Sequence, residues 1–283
     1  MNWKPAELYR ELKKRGLLPD KRLGQHFLFD RNILKKIVAS ASPVGGRWVL
    51  EIGPGPGTLT IQLLQAGASV VAVEKDARMV DFLEEIFQPY LSKNLILINE
   101  DALQFDPGKL DYKPEVLIAN LPYNIAATLI VDYLMKYRFL TEYVVMVQRE
   151  VAQRFAAYPT NESYSSLTVK IQSISDVELL FRVAPGSFCP PPKVESQVVR
   201  LIRNPKLPEE KIASFFGFVD LLFAYRRKTL LNNLLMAGIF KSKEDAKKFL
   251  VGENIAEKAR PEELSVEQYI KLFLRLHEGA TNR

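Results

Sequence analysis

Residues 48–58 read WVLEIGPGPGT, an apolar run that ends in a glycine-rich turn. The run is nearly continuous in apolar and β-branched side chains, as a strand covered on both faces requires. The glycines that follow allow a sharp turn of the backbone and leave room for a ligand to approach it. Helical character begins at Thr58. The segment therefore predicts a strand, a tight turn and a helix, which is the repeating unit of a parallel α/β sheet.

The same alternation continues to about residue 150. Four more apolar runs, predicted as strands, occupy 70–74, 95–99, 116–120 and 143–148, and the predicted helices occupy 58–66, 77–87, 125–137 and 151–157. Alternation of this kind predicts an α/β fold with a doubly wound, mostly parallel, Rossmann-like sheet. Ligands of such sheets bind beyond the carboxyl ends of the strands.

The chain changes character after residues 204–208, which read NPKLP and are typical of a linker. The segments 209–226, 228–237, 242–251 and 261–278 have helical patterns, and no convincing strand lies among them. We therefore expect a first domain over 1–205 and a small all-helical C-terminal domain over 206–283.

The glycine turn and the acids that follow it indicate the ligand. A dinucleotide fingerprint needs a third glycine where this chain has Thr58, whereas the Glu-x-Gly-x-Gly-x-Gly turn of S-adenosylmethionine enzymes matches, with Gly53 and Gly55 at its centre. Glu74 ends the second run, where a carboxylate can accept hydrogen bonds from both hydroxyls of a ribose. Asp101 follows the third run, where it can accept from an adenine amine. Successive acids suit a cationic sulfonium, although solvated acids at strand ends are also common.

The tetrapeptide Asn120-Leu121-Pro122-Tyr123 follows the fourth run. A simple proline turn would explain it, but its groups also suit the methylation of adenine N6, whose lone pair is delocalised into the ring. The side-chain oxygen of Asn120 and the carbonyl of Leu121 can accept from the two N–H groups and stabilise the charge that develops on nitrogen. Pro122 stiffens the turn, and Tyr123 can stack on the base, an interaction of about 1–3 kcal/mol.

A second aromatic residue for the base is predicted at Phe188. It precedes residues 190–194, which read PPPKV and form a rigid, extended segment. A surface linker is the alternative for three prolines, but the strand-like run 194–202 follows at once. The prolines are therefore expected to fix a loop at the edge of the sheet.

Basic residues are concentrated near the N-terminus. Residues 1–40 contain ten Lys or Arg and four Asp or Glu, a net charge of +6 that equals the formal charge of the whole chain. Such clustering favours a polyanionic partner over a general role in solubility. The N-terminal residues do not read as a signal peptide, and the single cysteine, Cys189, excludes an internal disulfide and fits a reducing cytosol. We expect a cytoplasmic monomer with neither a metal site nor a membrane partner.

Taken together, the motifs resemble those of the bacterial KsgA (RsmA) ribosomal RNA adenine dimethyltransferases. They are, in order, LGQHFL at 23–28, EIGPG at 51–55, Glu74, Asp101, NLPYN at 120–124, FCPPPKV at 188–194 and RRKTL at 226–230. The resemblance covers most of the chain. It implies a methyltransferase that dimethylates two adjacent adenosines in the 3′-terminal hairpin of 16S rRNA, within precursors of the small ribosomal subunit.

The resemblance also implies roles for individual residues. The positions expected to contact S-adenosylmethionine are His26, Leu28, Gly53, Glu74, Asp101 and Asn120. The family often has Asn where this chain has His26, and an imidazole can still donate or accept a hydrogen bond. The basic residues beside the motifs, Lys21 and Arg22 upstream and Arg226, Arg227 and Lys228 in the helical domain, are expected to hold RNA phosphates.

Three other functions are alternatives to this one. A 23S rRNA adenine methyltransferase of the erythromycin-resistance type would use the same fold, but those enzymes typically carry Ile in place of Leu121 and lack the full triple-proline segment. DNA adenine methyltransferases usually have a different tetrapeptide and a larger recognition domain. A non-enzymatic assembly factor would be expected to have lost the tetrapeptide or the acids.

Overall fold

The computed structural model describes residues 5–17, 19, 25–225 and 227–278. The chain divides into two compact units, one made of Met1–Ala152 with Val177–Arg203 and the other of Gln153–Asp176 with Asn204–Arg283. The strands are β1 (Phe27–Leu28), β2 (Trp48–Ile52), β3 (Ser69–Glu74), β4 (Leu95–Asn99), β5 (Val116–Asn120), β6 (Glu142–Gln148), β7 (Ser175–Val183), β8 (Phe188–Cys189) and β9 (Ser196–Arg203). The helices are α1 (Pro5–Lys14), α2 (Arg31–Ala39), α3 (Thr58–Gln65), α4 (Ala77–Phe87), α5 (Ala126–Lys136), α6 (Arg149–Phe155), α7 (Ser166–Ile174), α8 (Ile212–Phe223), α9 (Leu230–Met236), α10 (Lys243–Gly252) and α11 (Val266–Glu278).

The first unit is built on a seven-stranded sheet with the order β4-β3-β2-β5-β6-β9-β7. The strands from β4 to β6 pair in parallel, and β9 pairs antiparallel with β6. The prediction of a doubly wound, mostly parallel sheet is confirmed. The strand order reverses between β2 and β5, and a crevice opens at such a point beyond the carboxyl ends of the strands.

Apolar side chains on both faces explain why the central strands form. Val49, Leu50, Val116 and Leu117 are fully buried, and α3 and α4 pack against the neighbouring strands β3 and β4. Each helix turns an apolar stripe to the sheet, as in α4, where six of eleven residues are buried.

The turn after β2 depends on glycine. Gly57 has a φ of +80°, and a Cβ added there would lie 2.5 Å from Cε2 of Phe87. Any L side chain would therefore be strained in its backbone and would collide with α4. This close approach sets the start of α3 and places the preceding turn at the mouth of the crevice.

The N-terminal part of the chain closes over the same edge of the sheet through a small two-stranded pairing. β1 pairs antiparallel with β8, with Phe27 opposite Cys189 and Leu28 opposite Phe188. His26 is thereby held next to the triple-proline segment.

The second unit is a helical assembly in which α7 packs against α8 and α11. The Tyr164 hydroxyl donates to the Leu264 carbonyl at 2.7 Å, and the Phe215 and Phe273 rings meet edge to face at 5.4 Å. This division differs from the expected boundary after residue 205, because these contacts group the stretch 153–176 with the C-terminal helices. No helix within the described residues has the length and apolar character needed to cross a membrane.

Candidate active site

A cavity lies in the first unit, beyond the carboxyl ends of β2, β3 and β5. Ten of the residues predicted for cofactor and catalysis line it: His26, Leu28, Gly53, Gly55, Glu74, Asp101, Asn120, Leu121, Pro122 and Tyr123. They come from five separate parts of the chain. The fold brings them together because the turns after parallel strands all open on one edge of the sheet.

Glu74 ends β3 with its carboxylate held by main-chain donors. Its Oε2 accepts from the Gly55 N–H at 3.1 Å, and its Oε1 accepts from the Asp76 N–H at 2.9 Å. Each carboxylate oxygen can accept a second hydrogen bond. The residue is 6% exposed, and burial raises the pKa of its carboxyl. The arrangement fits a diol, whose two hydroxyls can each donate to one oxygen.

A second buried acid, Glu51, lies on β2 and also lines the cavity. Its Oε2 accepts from the Thr60 hydroxyl at 2.7 Å. Burial, and then the nearby Glu74, raise the pKa of Glu51 to about 8. Below that pH the Glu51 carboxyl is mostly protonated, and a ligand that carries positive charge would favour its ionised form.

Asp101 follows β4 and is more open to solvent. Its Oδ2 accepts from the Lys75 ammonium at 2.6 Å, and its Oδ1 accepts from the Leu103 N–H at 3.0 Å. The Lys75 bond, followed by the Leu103 bond, lowers the pKa of Asp101. The carboxylate therefore stays ionised at neutral pH and is suited to accept from an amine.

Asn120 ends β5 with its amide in a defined orientation. Its Nδ2 donates to the His26 carbonyl at 3.1 Å, and because a carbonyl can only accept, this contact assigns nitrogen and oxygen in the side chain. The Oδ1 atom is thereby presented as an acceptor. The Leu121 N–H donates to the Met146 carbonyl on β6 at 3.1 Å, which fixes the start of the tetrapeptide to the sheet.

Tyr123 is held at its hydroxyl and on one face of its ring. The hydroxyl lies 2.6 Å from Oγ of the buried Ser196. The His26 imidazole stacks on the ring with 5.5 Å between centroids and 26° between planes. Burial raises the pKa of Tyr123, so the phenol is neutral at physiological pH.

Phe188 lies elsewhere. It is 5% exposed, packs in the apolar core of the first unit and is not among the residues that line the cavity. Its predicted stacking on a substrate base stays a prediction.

Three of the predicted RNA-binding residues, Lys21, Arg22 and Arg226, lie outside the residues that the structure describes. Arg227 and Lys228 are exposed in the second unit and do not line the cavity. Their role also stays a prediction.

Sequence reasoning missed three contributors to the site. Lys75 follows Glu74 directly, yet its pairing with Asp101 depends on how β3 and β4 lie side by side. Ser196 belongs to β9, and no local pattern connects it with Tyr123. Glu51 is visible in the glycine-turn motif, but its burial was not foreseen.

The chemistry of the cavity defines a class of enzyme. Buried acids with free lone pairs fit the ribose and the positive charge of S-adenosylmethionine, and the oxygens of the tetrapeptide fit an amine that receives a methyl group. These features define an S-adenosylmethionine-dependent amine methyltransferase.

Comparison with known proteins identifies the family. The model of the family described as "Ribosomal RNA adenine dimethylase" matches residues 18–278, and the chain belongs to this family. The protein is therefore an S-adenosylmethionine-dependent rRNA adenine methyltransferase, and the predicted family, enzyme class and methyl donor are confirmed.

Individual relatives are similar in sequence over nearly the whole chain. The "Ribosomal RNA small subunit methyltransferase A" of Alkaliphilus oremlandii is 38% identical over 256 residues, 88% of each chain. The protein of that name from Corynebacterium glutamicum is 34% identical over 95% of this chain and 93% of its own.

Solved structures show the same fold. A dimethyladenosine transferase from Plasmodium falciparum is 27% identical, with a TM-score of 0.73 over 90% of this chain and 98% of its own. The 23S rRNA methyltransferase ErmE is 26% identical, with a TM-score of 0.68 over 89% of this chain and 99% of its own.

Proposed function

We propose that this enzyme methylates the N6 amines of two adjacent adenosines in the 3′-terminal hairpin of 16S rRNA, within precursors of the small ribosomal subunit. The observation that carries the chemistry is the fixed amide of Asn120, whose nitrogen is bound to the His26 carbonyl and whose oxygen is left to accept.

The residues of the cavity account for each part of the reaction. When bound, S-adenosylmethionine supplies an electrophilic methyl group. The Asn120 oxygen and the Leu121 carbonyl accept from the target amine, which localises its lone pair and stabilises the developing ammonium. The N6 nitrogen forms a bond to the methyl carbon as the carbon–sulfur bond breaks, and the methylated ammonium then loses a proton to water. Position and electrostatics supply most of the catalysis.

We assign the methyl donor to the acidic side of the cavity. Glu74 accepts from the two ribose hydroxyls and Asp101 from the adenine amine. His26, Leu28, Gly53 and Gly55 border the same space. We assign Tyr123 to stack on the target base, and we propose Phe188 as the second aromatic residue that contacts this base.

The small-subunit substrate is supported by the relatives rather than by the fold. ErmE, a 23S rRNA methyltransferase, shares the architecture, so the architecture does not separate the two substrates. The relatives at 34–38% identity carry a small-subunit name. Leu121 and the three prolines at 190–192 are further features that favour the small subunit.

Methyl transfer to isolated ribosomal components tests this proposal. Purified protein and tritiated S-adenosylmethionine are incubated with unmethylated small subunits and, separately, with 23S rRNA. We expect label in the small subunits alone, and a map of modified adenines that places it in the 3′-terminal hairpin. Label confined to 23S rRNA would support the erythromycin-resistance type, and tight subunit binding without any label would support a non-enzymatic assembly factor.

Replacing the tetrapeptide asparagine tests the catalytic assignment. Asn120→Ala removes an acceptor that acts on charge developing in the transition state, and such changes lower turnover by about 10²–10³-fold. The rate of a single turnover at saturating S-adenosylmethionine measures this effect.

Asn32→Ala is the matched control, because it removes the same amide from an exposed position on α2. The control should keep the wild-type rate. An Asn120→Ala enzyme that methylates as fast as the wild type would show that the amide is not an acceptor for the target amine.

We infer that the basic residues bind the RNA backbone and that the enzyme acts as a cytoplasmic monomer. Lys21, Arg22, Arg226, Arg227 and Lys228 would neutralise phosphates, so affinity should fall steeply with salt. Lys21→Ala combined with Arg22→Ala should reduce the salt dependence of RNA binding, and an unchanged dependence would remove these two residues from the interface.

A further inference from the structure

His26 lies where three parts of the first unit meet. It immediately precedes β1, whose pairing with β8 brings it next to the triple-proline segment. Its ring atom Nδ1 lies 2.9 Å from the Pro190 carbonyl. Because a carbonyl only accepts, Nδ1 donates this bond and carries a proton. One ring nitrogen is therefore committed to the protein itself.

The main chain of His26 acts on the first catalytic side chain. Its carbonyl accepts from Nδ2 of Asn120 at 3.1 Å. Rotation of the amide by half a turn would set two oxygens against each other and lose this bond. The His26 segment thereby keeps Oδ1 of Asn120 as the acceptor in the cavity.

The ring of His26 contacts a second catalytic side chain, that of Tyr123. It covers one face of Tyr123 at a centroid distance of 5.5 Å, while the hydroxyl of Tyr123 is tied to Ser196 at 2.6 Å. A ring held at one edge and on one face has little freedom to tilt. Its other face is then the platform for a flat ligand such as a nucleobase.

We propose that His26 is a positioning residue, which aligns the target adenine by stacking behind Tyr123. This inference rests on the proposed function, since it concerns how the same site receives its base.

Two substitutions separate the stacking contact from the hydrogen bond. His26→Phe keeps an aromatic ring behind Tyr123 and loses the donor to Pro190. His26→Asn keeps an N–H donor and loses the ring. Both retain the main-chain carbonyl that holds Asn120. His277→Ala is the matched control, because His277 also meets an aromatic ring, that of Phe273 at 4.1 Å, and is not among the residues that line the cavity.

The rate of methyl transfer and the affinity for the donor are measured separately. Single-turnover rates on unmethylated small subunits at saturating S-adenosylmethionine should fall about fivefold to tenfold for His26→Asn, which corresponds to the loss of one aromatic pair. His26→Phe should stay within threefold of the wild type, and His277→Ala should equal it. The Kd for S-adenosylmethionine is measured by calorimetry for every variant, so that each rate is recorded at saturation. Thermal melting confirms that each variant is folded.

A double-mutant cycle adds a readout that a merely structural role would not affect. In a Tyr123→Ala background, His26→Asn should cause no further loss, because the ring on which the imidazole acts is gone. An equal loss in both backgrounds would overturn the inference. A raised Kd for S-adenosylmethionine with an unchanged saturated rate would do so as well, as would a His26→Phe enzyme as slow as His26→Asn. Failure of the wild type to methylate small subunits would overturn the proposed function itself, and this inference with it.

Discussion

Two carboxylates at neighbouring strand ends face the same cavity in different ways. Glu74 is nearly buried, and both its oxygens are held by main-chain N–H groups. Asp101 has a side chain that is 22% exposed, and its strongest contact is a lysine whose own side chain is 60% exposed. Main-chain donors on a folded turn cannot leave, whereas an exposed lysine can. The Glu74 part of the S-adenosylmethionine site is therefore fixed by the fold. The Asp101 part can exchange its lysine partner for the ligand when the ligand binds.

The largest effect should come from Glu74, the part of the S-adenosylmethionine site that is fixed by the fold. Glu74→Gln replaces one accepting oxygen by an NH₂ group, which cannot accept from a ribose hydroxyl and faces the N–H of Gly55 or Asp76. Hydrogen bonds to a charged group contribute about 1.5–3 kcal/mol each, so we expect the Kd for S-adenosylmethionine to rise roughly 100-fold in calorimetry. Glu84→Gln, at an exposed site on α4, is the control. A Kd within threefold of the wild type would mean that Glu74 does not hold the ribose.

A smaller effect is expected from Glu51, the second buried acid, and it concerns the pH dependence of the free energy of unfolding. The pKa of Glu51 is raised from 4.5 to about 8 in the folded protein, so the folded state binds a proton that the unfolded state releases. The stabilisation is present below pH 4.5 and is lost as the pH rises towards 8. It should decrease by about 2 kcal/mol between pH 6 and 7.5.

Chemical denaturation at both pH values measures this loss. Glu51→Gln is the reference, because its amide oxygen can still accept from Thr60 and it has no proton to lose. The wild type should lose more stability than the variant over this range. Equal losses would show that Glu51 is already ionised and that the interior of the cavity is more polar than its burial indicates.

The smallest effect should come from Lys75, the exchangeable partner of Asp101. Lys75→Met removes a cation that competes for Asp101 and repels a sulfonium. Exposed ion pairs contribute about 0.2–1 kcal/mol, so the affinity for S-adenosylmethionine should increase about twofold to fivefold. Lys93→Met, on the loop before β4, leaves the Asp101 pair intact and should change nothing. Weaker binding in the Lys75 variant would mean that the lysine assists the ligand instead of competing with it.

The sheet was largely predictable, because nearly continuous apolar runs indicate strands that are buried on both faces. β2, β4 and β5 have the expected bounds, and β3 and β6 begin one residue earlier than expected. β7 was not predicted. It is the last strand in the sheet order, and its sequence, SDVELLFRV, lacks a continuous apolar run because much of it is partly or fully exposed.

The position of residues at the cavity was predictable where a residue ends or follows a strand, as for Glu74, Asp101 and Asn120. Contacts between distant segments were not. The stacking of His26 on Tyr123 and the bond from Tyr123 to Ser196 depend on the pairing of β1 with β8 and on the position of β9. Neither leaves a signal in local periodicity.

The pairing of β1 with β8 has a consequence for synthesis. His26 and Pro190 are 164 residues apart, so the ribosome works for roughly 8 to 33 seconds between them at common elongation rates. During that interval the N-terminal segment has no second strand to join, and Asn120 emerges before its final neighbours are in place. The nascent enzyme therefore acquires its catalytic geometry only after two thirds of the chain has been translated.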